Sequence, residues 1–306
     1  MPIKNLLFLL LFLVSFQNFA QGDGPRTFKL IPKDMNIVSV FGLFINSNQA
    51  FNSELTAPGS DVSSNIGVLT YVRVFDLNGQ LSSLSVLLPF GKIDGELFPS
   101  LPNPIEIGSS GFGDAFINFT YGIIGLPAQT LEEYFEGNNL GFGLGAIVGL
   151  YFPTGAYDKN ELVNMSTHRF GLRIGALLSY SLGSRAPGKL TSFELTPSLF
   201  FYTKNNDIEN GNSLKQDMMF KLEGHITRDL SKMFWLSLDS FYYAGGETAI
   251  DDIKNNNNQS SFSMGGTLGI NLPKSFSGTL SYGGTVAHNE WGMDGTLFRF
   301  TLGKAF

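Results

Sequence analysis

The chain has 306 residues, of which 43% are hydrophobic and only 15% charged, with 36 Gly, 29 Phe, no Cys and a formal net charge of −6. Soluble domains carry roughly 25% charged residues, so this composition points to apolar surroundings outside the protein. The acidic balance excludes the broad cationic field that nucleic acid requires, and the lack of Cys removes disulfides, thiolate metal sites and Cys nucleophiles.

Residues 1–20 read as a secretory signal peptide. Lys4 supplies a short positive region, and Leu6 through Phe16 form an apolar run about half as long as the roughly 20 residues of a membrane-spanning helix. Ala20 gives a small residue for cleavage before Gln21, although Asn18 is atypical two positions earlier. Residues 21–35 are expected as a short periplasmic N-terminal segment; the sequence leaves open whether Gly22 to Met35 enter a lumen as a plug.

Beyond Met35 no run of 18 apolar residues occurs, which removes helical spans, and the pattern is period-2 alternation instead. His168, Phe170, Leu172, Ile174, Ala176, Leu178 and Tyr180 make one oily face, against Arg169, Gly171, Arg173 and Gly175. Phe193, Leu195, Pro197, Leu199 and Phe201 repeat the pattern, and Phe298, Phe300, Leu302 and Phe306 close the chain with it. About twelve such segments are predicted, each about as long as a tilted membrane-spanning strand. They cover 36–46, 62–75, 81–93, 111–123, 140–154, 167–180, 191–204, 214–228, 232–246, 259–271, 275–286 and 295–306.

Links alternate short and long. Asn78-Gly79, Asp229-Leu230-Ser231 and Leu272-Pro273-Lys274 read as periplasmic turns, whereas 46–61, 92–110, 155–166 and 247–258 read as extracellular loops. The proline-bearing 92–110 loop either folds inward as a constriction or caps the outside. The 126–139 link should be a short turn yet is long, with a helix or an acidic loop after Pro127.

A soluble barrel hides its oily face and charges the other, but here the second face is rich in Gly, Ser, Thr and Asn and holds too few charges for an outer wall. The fold expected is therefore all-β: a transmembrane antiparallel up-and-down β-barrel over 36–306, apolar side to lipid and polar side to the lumen. Parity puts Arg73, Asp114, Asn118, Arg169, Arg173, Glu194, Lys221, Glu223, His225, Asp239 and Arg299 on the lumen side. These groups either fill the lumen as a salt-bridge network or set what passes. Phe298, Phe300 and the terminal Phe306 resemble the signal read by the outer-membrane assembly machinery of diderm bacteria.

Some strings match motifs only as text. Gly141-Phe142-Gly143-Leu144-Gly145-Ala146 looks like a dinucleotide fingerprint, but a strand rather than a helix follows it. His168, His225 and His288 are about sixty residues apart without metal-ligand spacing, and no cofactor or metal is expected.

Tyr71-Val72-Arg73-Val74-Phe75, Val86-Leu87-Leu88-Pro89-Phe90-Gly91, Gly111-Phe112-Gly113-Asp114, Gly149-Leu150-Tyr151-Phe152-Pro153-Thr154-Gly155 and Leu195-Thr196-Pro197-Ser198 come in an order that resembles the outer-membrane transporter family of the MetA-pathway of phenol degradation. The resemblance runs from about Pro32 to Phe306 and implies a barrel that passes small hydrophobic or aromatic molecules. Two other functions are carried beside that one. One is a structural or adhesive surface barrel working through its loops. The other is a rim hydrolase, for which His225 and Thr227 share a face without a third orienting residue. No enzymatic activity is expected. The partners expected are outer-membrane lipid, the assembly machinery and small hydrophobic solutes, at the cell outer membrane.

Overall fold

The computed structural model describes residues 22–51, 56–136, 140–184 and 188–306, so the signal peptide expected over 1–20 lies outside the described residues. The wall begins with β1 (Asn36–Ser47), β2 (Asp61–Leu77) and β3 (Gln80–Leu97). Its fourth stave is split into β4 (Ile105–Phe112) and β5 (Ala115–Ile124), both of which pair with β3. β6 (Gly141–Phe152), β7 (Gly171–Gly183) and β8 (Leu190–Tyr202) follow. A three-residue β9 (Leu214–Gln216) precedes β10 (Met219–Asp229) and β11 (Phe234–Gly245). β12 (Thr248–Ile250) and β13 (Ile253–Lys254) join β9 in a small separate sheet, and β14 (Gln259–Asn271), β15 (Phe276–His288) and β16 (Gly295–Ala305) complete the wall.

Each wall strand pairs antiparallel with its neighbours, and β1 pairs with both β2 and β16. Counting β4 and β5 as one stave gives a closed cylinder of twelve, in the order of the chain. Closure gives every wall strand two partners, which a solvent without hydrogen bonds demands. The alternation decides which way each ribbon faces. Phe44, Leu69, Leu88, Leu150, Ile174, Leu195, Leu238, Leu280 and Phe300 are exposed on the outside, whereas Ser64, Ser82, Ser198, Thr227, Ser263 and Thr267 are buried inside. The polar face is enclosed and the apolar one is not.

Turn chemistry sets the lower rim. Asn78 and Gly79 both have positive φ, 53° and 79°, the pair required by a two-residue hairpin of the hand that suits twisted strands. Across the same rim the 126–139 link contains a one-and-a-half-turn helix, α1 (Leu131–Glu136). Several boundaries differ from the alternation: β3 runs on to Leu97 and its partner begins at Ile105, so 92–110 is mostly strand. His168 has φ 52° and stacks on Tyr157 at 4.3 Å, so the sixth stave starts at Gly171 rather than 167. The eighth starts at Met219, because 214–216 peels away to build the small outer sheet.

Candidate functional site

The lumen has two halves of different character. Towards the outer rim, Leu43, Ile45, Val62, Ile66, Ile93 and Leu297 form a buried apolar cluster. The β6–β7 connection drops into this cluster with Val163 and Met165. That connection, and not the proline-bearing loop after β3, narrows the mouth: residues 98–104 are all exposed. Asp114, freed to turn by the break between β4 and β5, holds the connection in place. One carboxylate oxygen accepts hydrogen bonds from Gly155 N at 3.1 Å and Ser166 Oγ at 2.6 Å. The other accepts from Thr167 N at 2.8 Å and Thr167 Oγ1 at 2.9 Å.

Below the cluster the inner wall is polar, and the N-terminal segment is threaded through it. This is the stretch expected as a short periplasmic segment, for which the sequence left entry into the lumen open. The two carboxylate oxygens of Glu223 accept from the Asp23 and Gly24 amides at 3.1 and 2.8 Å. Glu194 accepts from Arg26 N at 2.8 Å, and the Arg26 guanidinium bonds Asp229 while lying 4.2 Å over the Trp235 ring. Arg173 grips the Asp23 carboxylate with both terminal nitrogens, at 3.1 and 2.6 Å, and its Nε donates to Ser198 Oγ at 3.1 Å. Arg299 donates to the carbonyls of Gly22 and Asp23 at 2.9 and 3.2 Å. A side chain at position 22 would run into the Phe241 ring and the Glu223 carboxylate, so glycine is what lets the segment lie this close. The segment leaves the barrel where Lys33 N donates to Gln129 O at 2.7 Å, beside α1.

Parity therefore brings Asp114, Asn118, Arg173, Glu194, Lys221, Glu223, His225, Asp239 and Arg299 to the inside of the wall, with Arg169 buried just above β7. Arg73 is the correction. It shares its face with the exposed Leu69 and Tyr71, and it stands at the lower rim with its guanidinium on the Asp34 carbonyl at 2.9 Å. The inward face of β2 is the other one, Ile66, Val68, Thr70 and Val74. Both faces of that strand are apolar over much of its length, so alternation alone could not choose between them.

His225 ties the lower network together. Its Nδ1 lies 2.7 Å from Asp239 Oδ1 and its Nε2 2.9 Å from Glu223 Oε1. Asp239 also accepts from Ser237 Oγ at 2.6 Å and Thr267 Oγ1 at 2.6 Å, and Thr267 meets Ser281 Oγ at 2.8 Å. Both ring nitrogens are thus committed to carboxylates, which leaves none to activate Thr227; the geometry needed for a rim nucleophile is not assembled.

Between the narrowed mouth and the plug lies a chamber of about 270 Å³. Its walls carry Phe41, Phe116, Tyr151, Phe200, Tyr202 and Tyr243, its roof Met165, and its floor Gly22, Asp23 and Lys221. Phe116 and Tyr151 stack face to face at 4.1 Å. Cations back the rings: Arg299 lies 4.2 Å from the Phe41 centroid, Arg173 5.6 Å from Phe200 and Arg169 4.3 Å from Tyr202. The aromatic content was visible in the composition, but its convergence was not, because the rings come from five different strands.

A family model described as "Putative MetA-pathway of phenol degradation" matches residues 45–300. Among solved structures, an outer membrane channel from Pseudomonas putida F1 is similar over 92% of this chain and 99% of its own, with 18% identity and a TM-score of 0.73. The β domain of the Bordetella autotransporter BrkA is similar over 89% of this chain and 100% of its own, at 10% identity and a TM-score of 0.50. No curated protein matches the sequence.

Proposed function

Since the chain belongs to the MetA-pathway of phenol degradation family, we propose that this outer-membrane β-barrel is a channel for small hydrophobic or aromatic compounds. The observation that carries the reading is the aromatic chamber inside the wall. A lumen serving only as a filled strut would have no reason to gather six rings around an open space of about 270 Å³. A dry cavity of about 150 Å³ already holds a benzene molecule, so one substituted ring fits here. Binding sites for such ligands combine apolar walls with a few fixed polar groups, which Lys221, Asp114 and Asp23 supply.

Passage requires two rearrangements. The β6–β7 connection must yield at Met165, and residues 22–30 must leave or shift. Polar wall groups then meet water rather than lipid, which the enclosed network of Ser, Thr and charged side chains tolerates. The test is uptake: cells lacking the gene should accumulate radiolabelled phenol more slowly than the parent at low external concentration, and a plasmid copy should restore the rate. Equal rates across a panel of aromatic and aliphatic solutes would remove the reading.

A further inference from the structure

The grip of Arg173 on Asp23 has a form of its own. The guanidinium is 2% exposed, takes the carboxylate with two nitrogens at 3.1 and 2.6 Å, and has its third nitrogen fixed by Ser198. A planar fork held at its base is the geometry that recognises carboxylates in general, whichever molecule carries them. In this protein the carboxylate belongs to a segment that is not part of the wall. Arg299 has the same dependence, since its two hydrogen bonds go to carbonyls of Gly22 and Asp23. The fork also borders the chamber: Asp23 forms part of its floor and Phe200, over which Arg173 lies, part of its wall.

We propose that Arg173 is the recognition site for the carboxylate of an aromatic monocarboxylic acid, with Asp23 of the plug as its resident surrogate. The ring of the acid occupies the aromatic chamber, its carboxylate replaces that of Asp23 on the fork, and the plug is released by competition. Without a replacing anion Arg173 would be left buried and unpaired, which opposes plug departure in the absence of solute. A neutral ring fills the chamber but offers the fork no charge and no second oxygen. The site rests on the channel reading above and narrows it from aromatics at large to acids.

The experiment is equilibrium binding to the folded, detergent-solubilised protein, with benzoate against its neutral isostere benzamide. An internal competitor weakens apparent affinity in proportion to its occupancy, so Asp23→Ala should raise the preference for benzoate over benzamide by about tenfold or more. Arg173→Gln placed on Asp23→Ala should make the two ligands bind alike. Equal binding of benzoate and benzamide by Asp23→Ala, or a preference for benzoate that survives Arg173→Gln, would overturn the proposal. Asp23→Ala changes no wall residue, so it decides the matter alone if the double variant does not assemble. Uptake of phenol by the deletion strain reads the channel separately: benzoate binding as expected with no change in phenol uptake keeps the site and removes the neutral-solute channel.

Discussion

Asp114 gathers four donors from the β6–β7 connection onto one carboxylate, and two of them are backbone amides that no other residue satisfies in their place. Hydrogen bonds to a charged acceptor contribute about 1.5–3 kcal/mol each in favourable settings, so Asp114→Ala should free the connection rather than merely loosen it. In a chain lacking residues 22–30, single-channel conductance in a planar bilayer is expected to rise with Asp114→Ala, while a fully assembled barrel still migrates as a folded band. Gly269 reports on the other end of the lumen. Trp235 lies flat across it, and a methyl group there would collide with the indole on which Arg26 rests. Gly269→Ala should cost about 1–3 kcal/mol through overpacking and shift Trp235 fluorescence to the red as the ring tilts into water. Sequence placed Asp114 on the lumen side without revealing its hold on the connection, and it did not single out Gly269. Asp114 is one polar residue after a Gly, and the role of Gly269 depends on a cross-strand partner 34 positions away in register. Arg73 shows the same limit from the other side, since its neighbours on both faces are apolar and only pairing reveals which face is enclosed.

At the scale of elements, the short helix α1 is held by a reciprocal pair. Thr130 N donates to Glu133 Oε2 at 2.7 Å, and Glu133 N donates to Thr130 Oγ1 at 3.2 Å, a capping box. The backbone amide of Thr130, then its hydroxyl, hold the Glu133 carboxyl below its ordinary value of 4.5. A depressed folded-state value means that this support is present above pH 4.5 and fades as pH falls through the lower folded value. Amide protection over 131–136 should therefore drop on acidification in the native chain, and Thr130→Ala should show the reduced protection already at neutral pH. Leu131 and Phe135, four apart and both exposed, give the helix an apolar edge at the lower membrane boundary. The sequence marked this link by its length and its Leu-Glu-Glu-Tyr-Phe string but left helix and acidic loop both open. It announced the staves even better, because a period of two persists over ten or more residues. What local pattern could not announce was the interruption at Gly113, whose amide still reaches Pro89 O at 2.8 Å while Asp114 turns inward. Equally hidden was the descent of 153–170 into the mouth, because both features are set by partners far away in the chain.

For the molecule as a whole, stability resides in closure. The terminal strand completes the cylinder, and Phe306 exchanges both backbone hydrogen bonds with Asn36 at 2.8 and 2.9 Å. Phe298, Phe300 and Phe306 all point outward, 40%, 39% and 62% exposed, so their rings fill no internal space. Deleting Phe306 should accordingly lower the amount of barrel that reaches the membrane while changing the unfolding temperature of the assembled fraction by only a few degrees. A heat-modifiability assay on equal loads separates the two. A large drop in unfolding temperature with normal assembly would count against an assembly role for these rings. The inversion of faces was legible because it is a property of composition: too few charges for an outer wall and too many small polar residues for a core. The plug was not, since residues 22–35 have no periodicity and acquire their place only from the wall around them.

That dependence ties the segment to the seam of the barrel. Residues 22–30 touch β7, β8, β10 and β16, and the partner on β16 is 277 positions further along the chain. Their full set of contacts exists only once β16 is in place, although they are synthesised before any of these strands. Seating of the segment therefore reports on the seam: a cylinder stalled with β16 unjoined lacks the two bonds that Arg299 gives to the carbonyls of Gly22 and Asp23.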